Sequence, residues 1–210
     1  MPITLPRLML ISPVLGPDTA FDGPLADALS GAEIAALVLR VEREAEERGL
    51  LKMLKPLVEA AQEAGAAVLI EGAPDLVGKS GADGVHVLGE TQAREAAQRF
   101  KPEKIFGAGG LRSRDAAMGV GELQADYVLF GDPGKGEAPP IEAVLERVAW
   151  WAEIFNTPCV GQAETLAAVG PLAGTGADFV ALGSFVWTHP GGPAAAARAA
   201  AAALSGEQVA

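Results

Sequence analysis

The sequence predicts a single compact α/β domain, a (β/α)8 TIM barrel, and three observations carry that expectation. The phrase Ala-Asp-x-Val recurs at Ala82-Asp83-Gly84-Val85, Ala125-Asp126-Tyr127-Val128 and Ala177-Asp178-Phe179-Val180, each copy opening a short apolar run, with a looser copy at Gly31-Ala32-Glu33-Ile34. Counted from the alanines, the copies start 50, 43 and 52 residues apart. Each interval holds about two strand-plus-helix units, so the phrase marks the foot of every even strand in an eight-unit array. Finally, no Gly-x-Gly-x-x-Gly follows the first strand, where an open dinucleotide-binding sheet would need it. At 210 residues the chain is short for such a barrel, so its connections must be tight, and 26 glycines suit tight turns.

The elements follow in order. Residues 8–12 form the first strand, closed by Pro13, which restricts the residue before it and cannot donate a ladder bond. The second strand covers 35–39, and the Glu-, Leu- and Ala-rich stretch 42–63 has the propensity of a helix. Strand 66–70, a short helix around 73–79 and strand 84–88 come next. They are followed by helix 91–100, strand 104–107 and a helix over 113–123 started by Ser113 or Asp115. Strand 127–130 precedes a helix that Pro139-Pro140 starts and that runs to 155, since proline is tolerated where helical amides are unpaired anyway. Strand 157–161, helix 164–172 and strand 179–183 complete the barrel domain, assigned to 1–190; the Ala-rich 191–210 is a terminal helix or a frayed tail.

The formal charge of −11, from 27 acidic and 16 basic residues, disfavours nucleic acid and anionic membrane as partners while leaving room for a local phosphate pocket. One cysteine, Cys159, permits no intrachain disulfide and fits a cytoplasmic location. Residues 1–10 lack the basic head and long apolar stretch of a signal peptide, and no 18-residue apolar run occurs elsewhere.

In a barrel the C-terminal ends of the strands form one rim. That rim gathers Ser12, Arg40, Glu42, Glu71, His86, Gly107 to Gly110, Asp132, Lys135, Gln162, Glu164, Gly183 and Ser184. Arg40 can grip a phosphate or carboxylate with two parallel bonds, and Lys135 can meet phosphate as a point charge. These two are the catalytic candidates. Ser12, Arg40, His86, Gly109, Asp132, Gln162, Gly183 and Ser184 are the substrate-binding candidates. Glu71 and Glu90, with Glu42, are candidates to hold magnesium together with substrate phosphates. Several assignments have two readings. Gly107-Ala108-Gly109-Gly110 is either a backbone cradle for an anion or a tight turn after the fifth strand, and His86 is either a ligand or proton-transfer group or a satisfied structural histidine. In the pair Trp150-Trp151, one ring packs on the barrel and the other covers a neighbouring helix or subunit, because adjacent helical residues diverge.

Gly81-Ala82-Asp83-Gly84-Val85-His86-Val87, Gln124 to Pro133 and Gly176-Ala177-Asp178-Phe179-Val180-Ala181 resemble, in order and spacing, the thiamine phosphate synthase and TenI superfamily. The resemblance implies a (β/α)8 barrel, usually dimeric. Its synthase branch joins a thiazole phosphate to a hydroxymethylpyrimidine diphosphate with magnesium and releases pyrophosphate; its TenI branch isomerises a thiazole carboxylate phosphate. It also implies departures. Arg40 is retained, but Val38 and Glu42 stand where the family has glutamine and lysine, and Glu71-Gly72 replaces an Asn-Asp pair. Only Glu90 lies near the family's second magnesium aspartate, and Gly161-Gln162-Ala163-Glu164 interrupts the Gly-Gly turn that holds the thiazole phosphate. The expected ligand is therefore a small phosphorylated heterocycle. The alternatives are a catalytically silent binding or regulatory barrel, a TenI-like paralogue with different chemistry, and a barrel enzyme acting on an uncharged metabolite.

Overall fold

The structure, a computed structural model, describes residues 5–132 and 137–206. Eight parallel strands close into a barrel in chain order: β1 (Arg7–Leu15), β2 (Ile34–Val41), β3 (Ala67–Glu71), β4 (Gly84–Leu88), β5 (Ile105–Gly109), β6 (Tyr127–Phe130), β7 (Cys159–Ala163) and β8 (Phe179–Leu182), with β8 paired back to β1. The helices α1 (Asp22–Gly31), α2 (Glu47–Glu63), α3 (Val77–Ser80), α4 (Gly89–Phe100), α5 (Arg114–Glu122), α6 (Ile141–Ile154), α7 (Val169–Ala173), α8 (Phe185–Thr188) and α9 (Gly192–Ser205) surround it. Among the described residues no helix is long and apolar enough to cross a membrane.

The repeated phrase has a direct physical role. Asp83, Asp126 and Asp178 each use Oδ2 to accept the backbone N–H of Val68, Phe106 and Cys159, at 2.8, 2.7 and 2.9 Å. Each aspartate's own amide donates back to the carbonyl of the same residue, at 2.8, 2.8 and 3.0 Å. Every full copy is thus a two-bond clamp from the foot of an even strand to the start of the odd strand before it. A hydrogen bond to a charged acceptor contributes about 1.5–3 kcal/mol. Glu33, in the looser copy, makes no such bond among the described residues.

The Ala-rich end is a helix because it packs closely. A Cβ on Gly31 of α1 would lie 2.4 Å from the Ala194 carbonyl oxygen of α9, so the two helices touch through residues with almost no side chain. Ala196, Ala197 and Ala200 of α9 are fully buried.

Several boundaries differ from the sequence expectation. Pro13 does not end β1, which runs on to Leu15. The β1–β2 register shifts between Ile11 and Val14, and there the Ser12 hydroxyl accepts the Arg40 amide at 2.9 Å and donates to the Pro13 carbonyl at 2.7 Å. The hydroxyl gives the Arg40 N–H an acceptor at the bulge, so the pairing carries on across the register shift. Helix α2 begins at Glu47 instead of 42, since residues 42–46 turn back to the barrel through the Glu42 amide on the Leu15 carbonyl. Ser113 caps α5 by accepting the Ala116 amide at 3.1 Å. Strand β7 sits two residues later than expected, and the helix expected over 164–172 is a 3₁₀ turn, Leu166–Ala168, followed by α7. Helix α1, short and with two buried residues, Leu25 and Ala28, has no counterpart in the sequence reading.

Burial decides the chemistry of Cys159. Desolvation first, and the neighbouring Asp178 second, push its thiol from near 9 up to about 12. The unfolded thiol ionises at lower pH than the folded one, so folding stability falls as pH rises between those values, by at most about 1.4 kcal/mol per pH unit. In native protein at pH 8 a thiol reagent should label Cys159 no faster than the protein opens. Cys159→Ala should flatten the alkaline part of the stability curve; rapid native-state labelling, or an unchanged alkaline slope, would contradict this account.

Candidate functional site

The two-residue period of a strand carries the barrel interior from an apolar plug to a polar mouth. Val38, Leu69 and Val160 lie in the interior cluster with Met9, Ile11, Tyr127, Leu129 and Ala181. Two residues further along the same strands stand Arg40, Glu71 and Gln162, at the C-terminal ends where a barrel exposes its ligand site.

Arg40 and Glu71 face each other in adjacent strands, with Arg40 Nε 3.3 Å from Glu71 Oε1. Glu71 is buried, and its second oxygen, Oε2, has no partner among the described residues. The Arg40 Nη groups take no partner there either, which leaves them available to an anion. Ser12 touches this pair only through the backbone of Arg40, its hydroxyl being used at the β1 bulge.

His86 is fully buried on β4, and Tyr127 of β6 reaches it across β5, with the hydroxyl 2.7 Å from Nδ1. Two glycines of β5 make this possible. A Cβ on Gly107 would fall 2.0 Å from the Tyr127 ring, and one on Gly109 would fall 2.9 Å from His86 Nε2. Gly107 and Gly109 therefore belong to the strand, neither in a turn after it nor in a loop cradle; their missing side chains give room to Tyr127 and His86. Desolvation lowers the His86 pKa, with Glu71 and Asp132 opposing and Arg40 adding to the shift. Tyr127 is pushed well above its ordinary value, first by burial and then by Glu71 and Asp132. Both groups are therefore neutral at pH 7. Either Tyr127 donates to Nδ1 and the imidazole proton sits on Nε2, or Nδ1–H donates to the phenol oxygen and Nε2 is a bare acceptor.

Asp132, just beyond β6, places Oδ2 3.9 Å from His86 Nε2. Glu71, His86 and Asp132 each offer a ligand atom, and these atoms lie within 4.8 Å of one another. The trio fits a divalent cation, for His86 Nε2 and Glu71 Oε2 are buried polar atoms without partners among the described residues. Glu90 is elsewhere: it pairs with Arg94 at 2.5 Å along α4. Glu42 turns toward the β1–α1 loop, its carboxylate about 3.0 Å from where a Gly16 Cβ would sit.

On the far side of the mouth, Gln162 donates through Nε2 to Glu164 Oε1, while Gln162 Oε1 is buried and unpartnered among the described residues. Glu164 Oε2 accepts from the Ser184 hydroxyl at 3.4 Å and lies 2.8 Å from the Cβ position of Gly183. The Gly183-Ser184 turn thus holds the protein's own carboxylate. Two clefts open beside the mouth on the β2–β5 side, one of about 250 Å³ bordered by Arg43, Gly72, His86, Gln92 and Arg99, the other of about 390 Å³ bordered by Arg43, Gly89, Gln92, Gly110 and Arg112. Lys135 and residues 133–136 as a whole lie outside the described residues.

Strand register thus brings Arg40, Glu71, His86 and Asp132 together, and Gln162, Gly183 and Ser184 meet around Glu164. The sequence reading missed Tyr127 as a site residue. Its one signal is the aromatic in the second Ala-Asp-x-Val copy, placed opposite a glycine strand. Trp151 is buried against Phe130 and Phe155, while Trp150 is covered by Arg114 of α5, whose guanidinium lies 4.6 Å from the ring centre.

Known proteins share this architecture. The chain is 39% identical over 196 residues to a thiamine-phosphate synthase of Rhodospirillum centenum, covering 90% of this chain and 93% of the relative. It is 38% identical over 204 residues to a thiamine-phosphate synthase of Hyphomonas neptunium, covering 92% and 91%. The solved thiamine phosphate pyrophosphorylase of Pyrococcus furiosus superposes with a TM-score of 0.77 at 20% identity, over 95% of this chain and 96% of that one, a likeness of fold. Residues 13–186 match the thiamine monophosphate synthase family, TMP-TENI, and the chain belongs to that family.

Proposed function

We propose that the chain is a thiamine-phosphate-synthase-type transferase that binds a phosphorylated thiazole in the barrel mouth and transfers a hydroxymethylpyrimidine group to it with release of pyrophosphate. The observation that carries this reading is the polarity of the mouth. Arg40 stands at the end of β2; beyond it Arg43 and Arg99, with Glu95, border a cleft of about 250 Å³, and Arg43 and Arg112, with Glu90, one of about 390 Å³, while Glu164 with Gln162 stands on the β7–β8 side. A diphosphate fits the first side and the acceptor ring the second. As the carbon–oxygen bond of the pyrimidine diphosphate breaks, the electron pair leaves with pyrophosphate and the thiazole nitrogen forms the new bond to carbon.

Arg40 has the chemistry to hold the departing anion through its Nη groups where charge develops. The His86–Tyr127 pair, buried beside Glu71 and Asp132, would help to close the pocket to water. A divalent ion, magnesium on the family's pattern, would add positive charge at the diphosphate when bound near Glu71 and Asp132. Lys135 remains a proposed phosphate contact. A homodimer in the cytoplasm belongs to the same proposal, although Trp150 is covered within its own chain and gives it no support.

A second reading, a catalytically silent metabolite-binding barrel, is favoured by Glu164 in the Gly183-Ser184 turn, because a carboxylate beside a desolvated phosphate costs several kcal/mol. Purified protein with both substrates and a divalent ion decides between them by continuous pyrophosphate release. Turnover above baseline is the expected result; calorimetric binding of the thiazole phosphate without turnover would replace the transferase by the silent barrel.

A further inference from the structure

We propose that Glu71, His86 and Asp132 form a mixed nitrogen–oxygen cation site that takes manganese or a later first-row divalent metal in preference to magnesium, with Tyr127 as the outer partner that presents His86 Nε2. The site is the one used in the proposed transfer, but the inference concerns binding of the ion alone and needs no turnover.

The geometry supplies the argument. Two of the three ligand residues have one polar atom tied back into the protein and another left buried without a partner among the described residues. Glu71 is held through Oε1 by Arg40 at 3.3 Å while Oε2 is unpartnered. His86 is held through Nδ1 by the Tyr127 hydroxyl at 2.7 Å while Nε2 is unpartnered. That is how metal ligands are arranged, with outer hydrogen bonds fixing tautomer and orientation so that the inner atom meets the ion. Ligation through Nε2 selects the tautomer in which Nδ1–H donates to the Tyr127 oxygen. Gly109 keeps the space in front of Nε2 open, since a Cβ there would stand 2.9 Å from it.

The ligand atoms span up to 4.8 Å. Bonds of about 2.1 Å allow at most about 4.2 Å between opposite ligands, so loading would draw the trio in by roughly half an ångström. Asp132 and Glu71 come from the ends of different strands, and a shift of that size is within reach of their side chains.

Selectivity follows from the nitrogen. Magnesium dehydrates reluctantly and prefers six oxygens, several of them water, whereas imidazole suits manganese through zinc with affinity rising along the series to copper. A site with one imidazole among two carboxylates should therefore rank these metals above magnesium even though magnesium is more abundant in most media.

The test uses the whole, metal-free protein without substrates. Manganese is titrated with free ion counted by electron paramagnetic resonance, then competed with magnesium. Half-displacement should require about a hundredfold more magnesium than manganese. Zinc-loaded wild type should show at least one imidazole nitrogen at about 2.0–2.1 Å by X-ray absorption. His86→Asn should weaken manganese more than tenfold with little change for magnesium, and Tyr127→Phe should weaken manganese about 10- to 100-fold. Displacement at equal magnesium, no manganese binding, or a zinc spectrum without imidazole would overturn the proposal. The last is measured on wild type, so it decides the matter even if His86→Asn does not fold. Any of these results would leave the transfer reaction, assayed with magnesium, standing on its own evidence.

Discussion

Arg40→Ala is expected to lower kcat/KM for pyrophosphate release by about 10²–10³-fold, or about 2.7–4 kcal/mol of transition-state stabilisation. The guanidinium has spent only Nε on the protein, at 3.3 Å from Glu71, so its Nη pair is the fixed fork a leaving diphosphate would meet. Arg40→Lys keeps the charge and loses the fork, and should recover part of the rate. Removing Arg40 also strips Glu71 of its partner, leaving a buried carboxylate that repels the same anion. The Glu71→Gln variant and the Arg40→Ala/Glu71→Gln pair separate the two effects: if the loss came only from the unpaired carboxylate, the double variant would regain most of the activity of Glu71→Gln. A loss of less than about threefold in Arg40→Ala would remove Arg40 from the reaction, since one charge-assisted bond at the transition state is worth more than that.

Trp151→Ala is expected to cost about 3–5 kcal/mol of folding stability, the range for emptying a large aromatic from a packed core. Trp151 is fully buried, lies 4.1 Å from the Phe155 ring centre and 5.8 Å from that of Phe130, and donates Nε1–H to the Thr157 carbonyl at 2.8 Å. Its removal opens a void between α6 and the β6–β7 wall and leaves that carbonyl without its bond. The Tm should fall by roughly 10 °C or more. Trp151→Phe, which refills much of the space and loses the donor, should cost less. Trp150→Ala is the comparison: its ring is half-buried, under Arg114 and edge-on to Trp151 and Phe155, and its loss should cost about 1–2 kcal/mol, less than that of Trp151. Equal shifts for the two tryptophans in urea or thermal unfolding would overturn this division of labour.

Both expectations depend on features of unequal visibility in the chain. The Ala-Asp-x-Val repeat was legible because it is local and recurrent, and the structure explains its spacing: each aspartate clamps the start of the odd strand before its own. The eight strands and their closure follow from that period and from apolar runs of strand length. The rim was legible as well, since in a closed parallel barrel every strand end must come to the same side; Arg40, Glu71 and His86 lie where chain order places them.

Partnerships between side chains were not legible. Pro13 reads as a strand end because its missing donor is a local fact, whereas the Ser12 hydroxyl that accepts the Arg40 amide at the bulge does so only once β2 lies alongside. Gly107 and Gly109 read as a turn or a cradle, and become strand residues because Tyr127 and His86 occupy the space they leave. Glu90 reads as a metal ligand near the fourth strand, but four residues along its helix Arg94 claims it, and Asp132 closes the cluster from two strands away.

The sequence by itself determined the barrel, its direction and the list of polar residues at its mouth, because hydrophobic period and repeated clamps act between near neighbours and tolerate small errors of boundary. Only the tertiary structure decided which of those residues meet. Contact across a barrel depends on register and on what each neighbouring side chain displaces, and a shift of one residue sends every side chain of a strand to its other face.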